Sequence, residues 1–416
     1  MPGLGRSFAF LWSSTALSNL ADGVLKIGAP LLAVSMTRSP TLVSLVGAAA
    51  TAPWLLLALH AGAIADRADR RRVMGAANAV RAAILAAVAL LASLGLLDLW
   101  VLLAAVLAAG VTEVFADTSA QSILPMTVPA HDLPRANGRV SSAQLAGNDF
   151  AGAPLAGLLA GALPAAVFGA PALLYGAAGL LLLGMRGPYR LPAPRPERRP
   201  LRRDIGEALR YLRSHRVLRS LAITAGLLNL ANAAYFAVFV LWAVGDGSMI
   251  GLEPGQYGLM MAAFAAGAVA GSLLSGRAAG LFGEFRTIVG AWLISSLLLL
   301  VPVAAPTPWA LYPTAVLWGV VGAGGNVLVV STRQRLIPAE LLGRVNSAYR
   351  LVGMGGMPAG AALGGLVAEF TGIAAVLAGA AGVCLVGVGL VWRALSDRIS
   401  RPLTSAPAFS DISRQR

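Results

Sequence analysis

Residues 62–73 read Gly62-Ala63-Ile64-Ala65-Asp66-Arg67-Ala68-Asp69-Arg70-Arg71-Arg72-Val73. Two aspartates and four arginines fall within residues 66–72, and an apolar run flanks them on each side, at 41–65 and 73–96. Roughly 20 apolar residues span the hydrocarbon of a bilayer. The stretch therefore predicts a short polar turn joining two membrane crossings. Working outward, the pattern recurs. Apolar runs at 8–36, 41–65, 73–96, 99–125, 136–162, 165–186, 217–245, 254–280, 286–305, 309–336, 342–370 and 373–395 predict twelve crossings. The runs are too long and too little alternating for β-barrel strands. The first of them is also too long for the apolar region of a cleaved leader and ends in no small-residue cleavage site, so it reads as a span.

Composition agrees. The 416 residues are 57% hydrophobic and 12% charged, against about 25% charged in a soluble domain. The 48 glycines suit helices that approach closely in lipid. A net charge of +14 first suggests nucleic acid, but the cations are spread over many breaks rather than gathered on one face, so no nucleic-acid partner is expected. Lys26 is the only lysine and follows Leu25. A Walker A loop needs Gly-Lys-Ser/Thr, so ATP is not expected to drive this protein. The single cysteine, Cys384, excludes an internal disulfide and a cysteine metal cluster. Neither cofactor nor metal is expected.

The breaks differ by side. One set holds Arg67 and Arg70–Arg72, then Arg135, the 187–216 loop, Arg286, Arg344 and the tail after Arg393. The alternate set holds Arg38 and otherwise Asp98, Asp246, Glu253 and Glu369. The positive-inside rule places the arginine-rich set, and both termini, in the cytoplasm of a cell-membrane protein. Both termini on one side require an even number of spans. The 187–216 stretch contains Pro188, Pro192, Pro194, Pro196, Pro200 and many arginines, the composition of a stiff linker. Its part Ile205–Arg213 alternatively forms a basic amphipathic helix on the anionic leaflet.

An internal repeat is legible. Asn19-Leu20-Ala21-Asp22 matches Asn229-Leu230-Ala231-Asn232. Pro129-Ala130, Arg135 and Asn137 match Pro338-Ala339, Arg344 and Asn346. Gly152, Gly157 and Leu158 match Gly360, Gly365 and Leu366. The offset is nearly constant, as a duplication of six spans requires. The expected organisation is a bundle at 1–186, a cytoplasmic linker at 187–216, a second bundle at 217–396 and a cytoplasmic tail at 397–416.

The 62–73 stretch resembles the loop signature G-x-x-x-D-R-x-x-R-R of the major facilitator superfamily. The resemblance implies an all-α polytopic fold of twelve transmembrane helices in two pseudo-symmetric six-helix bundles, working as a monomer. Within the superfamily, Glu113, Asp117, Gln121, Leu124-Pro125, Leu133 and Ala136-Asn137-Gly138 look like the branch of macrolide-efflux proteins and enterobactin exporters. Gly138, Gly147, Gly152, Pro154 and Gly157 resemble the antiporter helix-packing motif, with Ala153 and Leu158 where that motif has glycines. Span four lacks the arginine that many drug antiporters carry. The resemblance also implies a conformational gate. Asp66 would pair across the halves near the start of span eleven, around Gly343–Asn346, with Gly62, Arg67, Arg70, Arg71, Arg344 and Asn346 around it.

Charges inside spans are costly and usually mark function. Asp22, Glu113, Asp117 and Asp149 are embedded, all in the first half. Lys26 lies one turn from Asp22 on the same helical face, and Glu113 and Asp117 repeat that spacing. The family plan puts spans one and four beside a central cavity. Carboxylates there, tuned by burial and by nearby cations, suit proton exchange with Asn19, Asn229, Asn232 and Asn326 as polar partners for substrate. The alternatives are structural. Asp22–Lys26 would be a neutralising pair, Glu113 and Asp117 would bond neighbouring helices, and Asp149 would hold span five in place. Arg81 is expected to snorkel to the cytoplasmic side, while Arg350 is read either that way or as a site for an anionic group. The function these readings support is proton-coupled export of a small amphipathic molecule. Import by symport, a non-transporting receptor and an intramembrane enzyme are the alternatives, and no HExxH or G-x-S-x-G motif supports the last.

Overall fold

The computed structural model describes residues 4–190, 206, 210–337 and 342–399; the side chains of residues 59, 63, 66, 130, 342–344, 346, 347 and 394–399 lie outside that description. The first half comprises α1 (Arg6–Met36), α2 (Pro40–Arg67), α3 (Arg70–Ser93), α4 (Leu99–Ile123), α5 (Leu133–Leu145), a π-helical segment (Ala146–Ala151), α6 (Gly152–Ala162) and α7 (Ala166–Leu183). The second comprises α8 (Arg216–Ala243), α9 (Pro254–Phe282), α10 (Glu284–Leu298), α11 (Val301–Ala304), α12 (Pro308–Leu336), α13 (Leu342–Met354), α14 (Met357–Thr371) and α15 (Ile373–Ile399). The helices start where local chemistry starts them. Ser39, Asp69, Asp98 and Thr307 each cap a helix by accepting from a backbone N–H three residues on. Glu253 and Gln256 form a capping box ahead of α9. Gly283 and Gly372, at φ 83° and 85°, turn the chain between consecutive spans in a backbone conformation that other residues resist.

Eleven helices among the described residues are long and apolar enough to cross a membrane. The remaining crossing is the expected span five, broken into α5, the π segment and α6. Its polar residues, Asn148 and Asp149 among them, and its glycines make it less apolar than the other eleven.

The repeat read in the sequence is visible in the packing. A Cβ on Gly152 would lie 2.7 Å from Gly23 Cα on α1. Its repeat mate Gly360 presses in the same way on the carbonyl of Leu230 on α8. Gly157 meets Pro254 of the other half, and its mate Gly365 meets Ser44 of the other half. One glycine of each repeat thus closes a bundle internally and the next closes the seam between halves. Across the seam, α2 packs on α8 and α14, and α6 with the π segment packs on α9.

Leucines such as Leu281 (80% exposed) and Leu273 (76%) cover the outer surface, as lipid-facing side chains do. Trp100, Trp309 and Phe370 are exposed at the arginine-poor helix ends, where an aromatic belt is expected.

The same end carries the seal. Arg38 donates to the carbonyls of Val244 (3.0 Å) and Asp246 (2.6 Å) at the end of α8. Glu369 accepts from Ser39 Oγ (2.9 Å), Thr41 Oγ1 (3.0 Å) and Thr41 N (3.2 Å) at the start of α2. A carboxylate at a helix N-terminus also suits the helix dipole. The α1–α2 connection therefore latches onto two helices of the opposite half. Glu369→Ala is expected to raise the population opened at this end. In a Cys384→Ser background, a cysteine at the buried, cavity-lining Val43 should react about two- to fivefold faster with an impermeant maleimide, the scale of a carboxylate at an exposed helix N-terminus. An unchanged rate would show that the latch does not hold the seal.

Candidate functional site

Between the halves lies a cavity of about 1240 Å³. From the seal it reaches Ala58 on α2, Gln121 on α4 and Arg350 on α13, all towards the arginine-rich helix ends. Its two walls differ. The first-half wall presents Asp22, Lys26 and Pro30 on one face of α1, Gly110 and Glu113 on α4, and Asn148 and Asp149 on the π segment. The second-half wall presents Tyr235, Phe236 and Phe239 on α8, Tyr257 and Phe264 on α9, and Trp318 on α12. These rings contact one another: Phe236 to Trp318 at 5.1 Å, Phe264 to Trp318 at 4.9 Å and Tyr235 stacked on Phe239 at 5.3 Å. Such clusters offer a large apolar surface with defined geometry.

Asp22 sits at the back of the charged wall. Tyr175 Oη on α7 donates to its Oδ1 at 2.5 Å, and Arg81 Nη1 on α3 lies 3.4 Å from the same oxygen. Arg81 is 0% exposed. Its Nε donates to Thr112 Oγ1 at 3.1 Å and its guanidinium lies 4.8 Å from the Tyr175 ring centroid. This overturns the expectation that Arg81 snorkels to the membrane surface: a carboxylate, a hydroxyl and an aromatic face on three neighbouring helices hold it inside. It also changes the reading of Asp22, whose ion-pair partner is Arg81. Lys26, one turn on, is exposed to the cavity, where its charge acts on Glu113 and Asp149.

Glu113 and Asp117 are half-buried on α4; Glu113 reaches the cavity and Asp117 lies behind it, both within electrostatic range of Asp22 and Arg81. Asp149 lies on the π segment, a local widening that recurs at functional positions. Gly147 and Gly152 let that segment press on α1 at Asn19, Leu20 and Gly23, and Pro154 follows without an N–H to donate. Gly138, by contrast, has nothing within 4 Å of where a Cβ would stand.

The amides separate. Asn229 lines the cavity and donates to Gly353 O at 2.9 Å. Asn232 also lines it, and its Oδ1 is buried without a partner, as is that of Asn148 opposite. Asn19 instead donates to Thr15 O at 2.7 Å within α1 and is outside the lining. Asn326 is exposed and also outside it.

Of the expected gate, Asp66, Arg344 and Asn346 have side chains outside the described residues. Gly62 has open space around it and Arg67 is exposed. Arg70 is buried, with Nη1 3.0 Å from Met126 Sδ and its N–H donating to Tyr189 O at 3.2 Å, and Arg71 donates to Met185 O. These contacts tie the loop to the ends of α4 and α7 in its own half. The sequence points to aromatics in the second half but does not single out Tyr175, Thr112 or the individual rings of the aromatic wall. The spacing of Tyr235, Phe236 and Phe239 was the available signal for the wall.

The chain matches the profile of the transmembrane secretion effector family over residues 2–405. It is 32% identical over 220 residues to the enterobactin exporter EntS of Citrobacter koseri, covering 50% of this chain and 49% of that protein. It is likewise 32% identical over 208 residues to EntS of Escherichia coli, covering 48% and 47%. The chain spans about half the length of the curated relatives it matches. Among solved structures, it superimposes on a bacterial homologue of the human lysosomal transporter Spinster, inward-facing and unoccupied, with TM-score 0.70 and 14% identity over 96% of this chain and 98% of that one. The nucleoside transporter NupG (D323A mutant) gives TM-score 0.71 and 13% identity over 92% and 99%. The chain belongs to the transmembrane secretion effector family and has the major facilitator fold.

Proposed function

We propose that this protein is a proton-coupled antiporter that exports a small amphipathic organic molecule from the cytoplasm. Halves 1–186 and 217–396 would rock about the cavity, with both termini and the 187–216 linker on the cytoplasmic side of the cell membrane, and the monomer would suffice. One observation carries the reading: the cavity has an ionisable wall on one half and an aromatic wall on the other. The aromatic wall suits the apolar body of a substrate. Asn148 and Asn232, each with an unpartnered oxygen, suit its polar groups. Asp22, Glu113, Asp117, Asp149 and Lys26 supply the proton chemistry. The arginine-rich loops support a cytoplasmic opening, and the relatives named as exporters support the direction.

In acid-inside everted vesicles, adding enterobactin or a macrolide is expected to release protons from the lumen in step with uptake of that probe. Uptake that is unaffected by collapsing the pH gradient would sink the coupling.

A further inference from the structure

Arg81 is held by too few bonds for a buried guanidinium. Charge-assisted hydrogen bonds run to about 2.7–2.9 Å, so the 3.4 Å contact with Asp22 is loose. A guanidinium offers five donors. Here Nε serves Thr112, Nη1 serves Asp22, and Nη2 is buried without a hydrogen-bond partner. Thr112 is next in the chain to Glu113, and Asp117 lies one turn further on α4. The groups facing Arg81 are therefore Asp22 from α1, Thr112, Glu113 and Asp117 from α4, and Tyr175 from α7, with Lys26 beyond them on α1. One cation is within electrostatic range of a carboxylate on α1 and two on α4, and it has donors to spare.

We propose that Arg81 is the positioning residue of proton coupling, a counter-ion that Asp22 shares with Glu113 and Asp117. While the α4 carboxyls hold their protons, Arg81 pairs with Asp22. When Glu113, which lines the cavity, gives its proton to cavity water, a second anion forms. Arg81 then turns its unused Nη2 donors towards α4. No other bond forms or breaks. The attraction between α1 and α4 changes with that proton, and α1 also packs against the π segment and touches α8 of the opposite half. The proton's position is thereby read by helices at the seam.

This proposal rests on the proton-coupled reading above. The test needs no substrate. Full-length protein in nanodiscs, with Cys384→Ser and spin labels at Ser141 on α5 and Val352 on α13, gives a distance distribution that is followed against pH. Wild type is expected to shift between two populations. Arg81→Gln should move the midpoint by about one pH unit or more, or flatten the response. Arg81→Lys should retain a response, and Thr112→Val should move the midpoint in the same direction by less. A wild type with no pH response overturns the proton-coupled reading and this proposal with it. A wild type that responds, overlaid by Arg81→Gln, overturns this proposal alone. If Arg81→Gln does not fold, an unmoved midpoint in Thr112→Val overturns it.

Discussion

Asp22→Asn is expected to reduce pH-driven uptake to the level of protein-free vesicles. The substitution keeps an oxygen for the Tyr175 hydroxyl but removes the only anion paired with Arg81 among the described residues. Two effects then combine. Proton exchange through the α1–α4 cluster is lost, and buried Arg81 loses its ion-pair partner. Breaking a buried pair from one side costs about 3–5 kcal/mol, so the melting temperature should fall as well. The double variant Asp22→Asn/Arg81→Gln separates the effects, because removing both charges leaves no stranded ion. Its melting temperature should recover most of the loss while uptake stays absent. Recovery of uptake in the double variant would mean that Asp22 serves only to neutralise Arg81. Near-normal coupling in Asp22→Asn itself would remove the cluster from the mechanism.

Gly23→Val is expected to be the most damaging single change away from the charges. A Cβ at residue 23 would lie 2.5 Å from Asn148 O and 2.7 Å from Asn148 Cα. Both are backbone atoms, so no rotamer change relieves the overlap and α1 must move off the π segment. Overpacking of this kind costs about 1–3 kcal/mol or more. It would also displace Asp22, next in the chain, relative to Asp149. The folded, monodisperse yield after extraction should fall sharply. Gly138→Ala, made where no atom approaches, should leave the yield unchanged. Equal yields for the two variants would show that the antiporter-like glycines matter for some reason other than close packing.

The contrast between those glycines shows how far sequence reading reaches. Gly138, Gly147, Gly152 and Gly157 form one motif by spacing. In the fold, Gly147 and Gly152 meet α1, Gly157 meets α9, and Gly138 meets nothing within 4 Å. Spacing along a helix fixes which residues share a face. It leaves open which neighbour that face receives. Span five makes the same point differently: its apolar run was legible, but its change to π-helical bonding was not, because hydropathy carries no information on hydrogen-bond register.

The spans and the loop signature at 62–73 followed from the sequence alone. So did the repeat, whose mates Gly157 and Gly365 turn up at equivalent seams. These features are set by how many apolar residues follow one another and where arginines interrupt them, and a bilayer responds to those quantities directly. The charged site needed the tertiary structure. Helical spacing offered Lys26 as the partner of Asp22, and the length of an arginine allowed Arg81 to reach the surface. Packing of α1, α4 and α7 around α3 decided otherwise, turning Arg81 inward to Asp22 and leaving Lys26 to the cavity. A buried charge takes the partner that the surrounding helices bring within reach, and that juxtaposition is a property of the bundle.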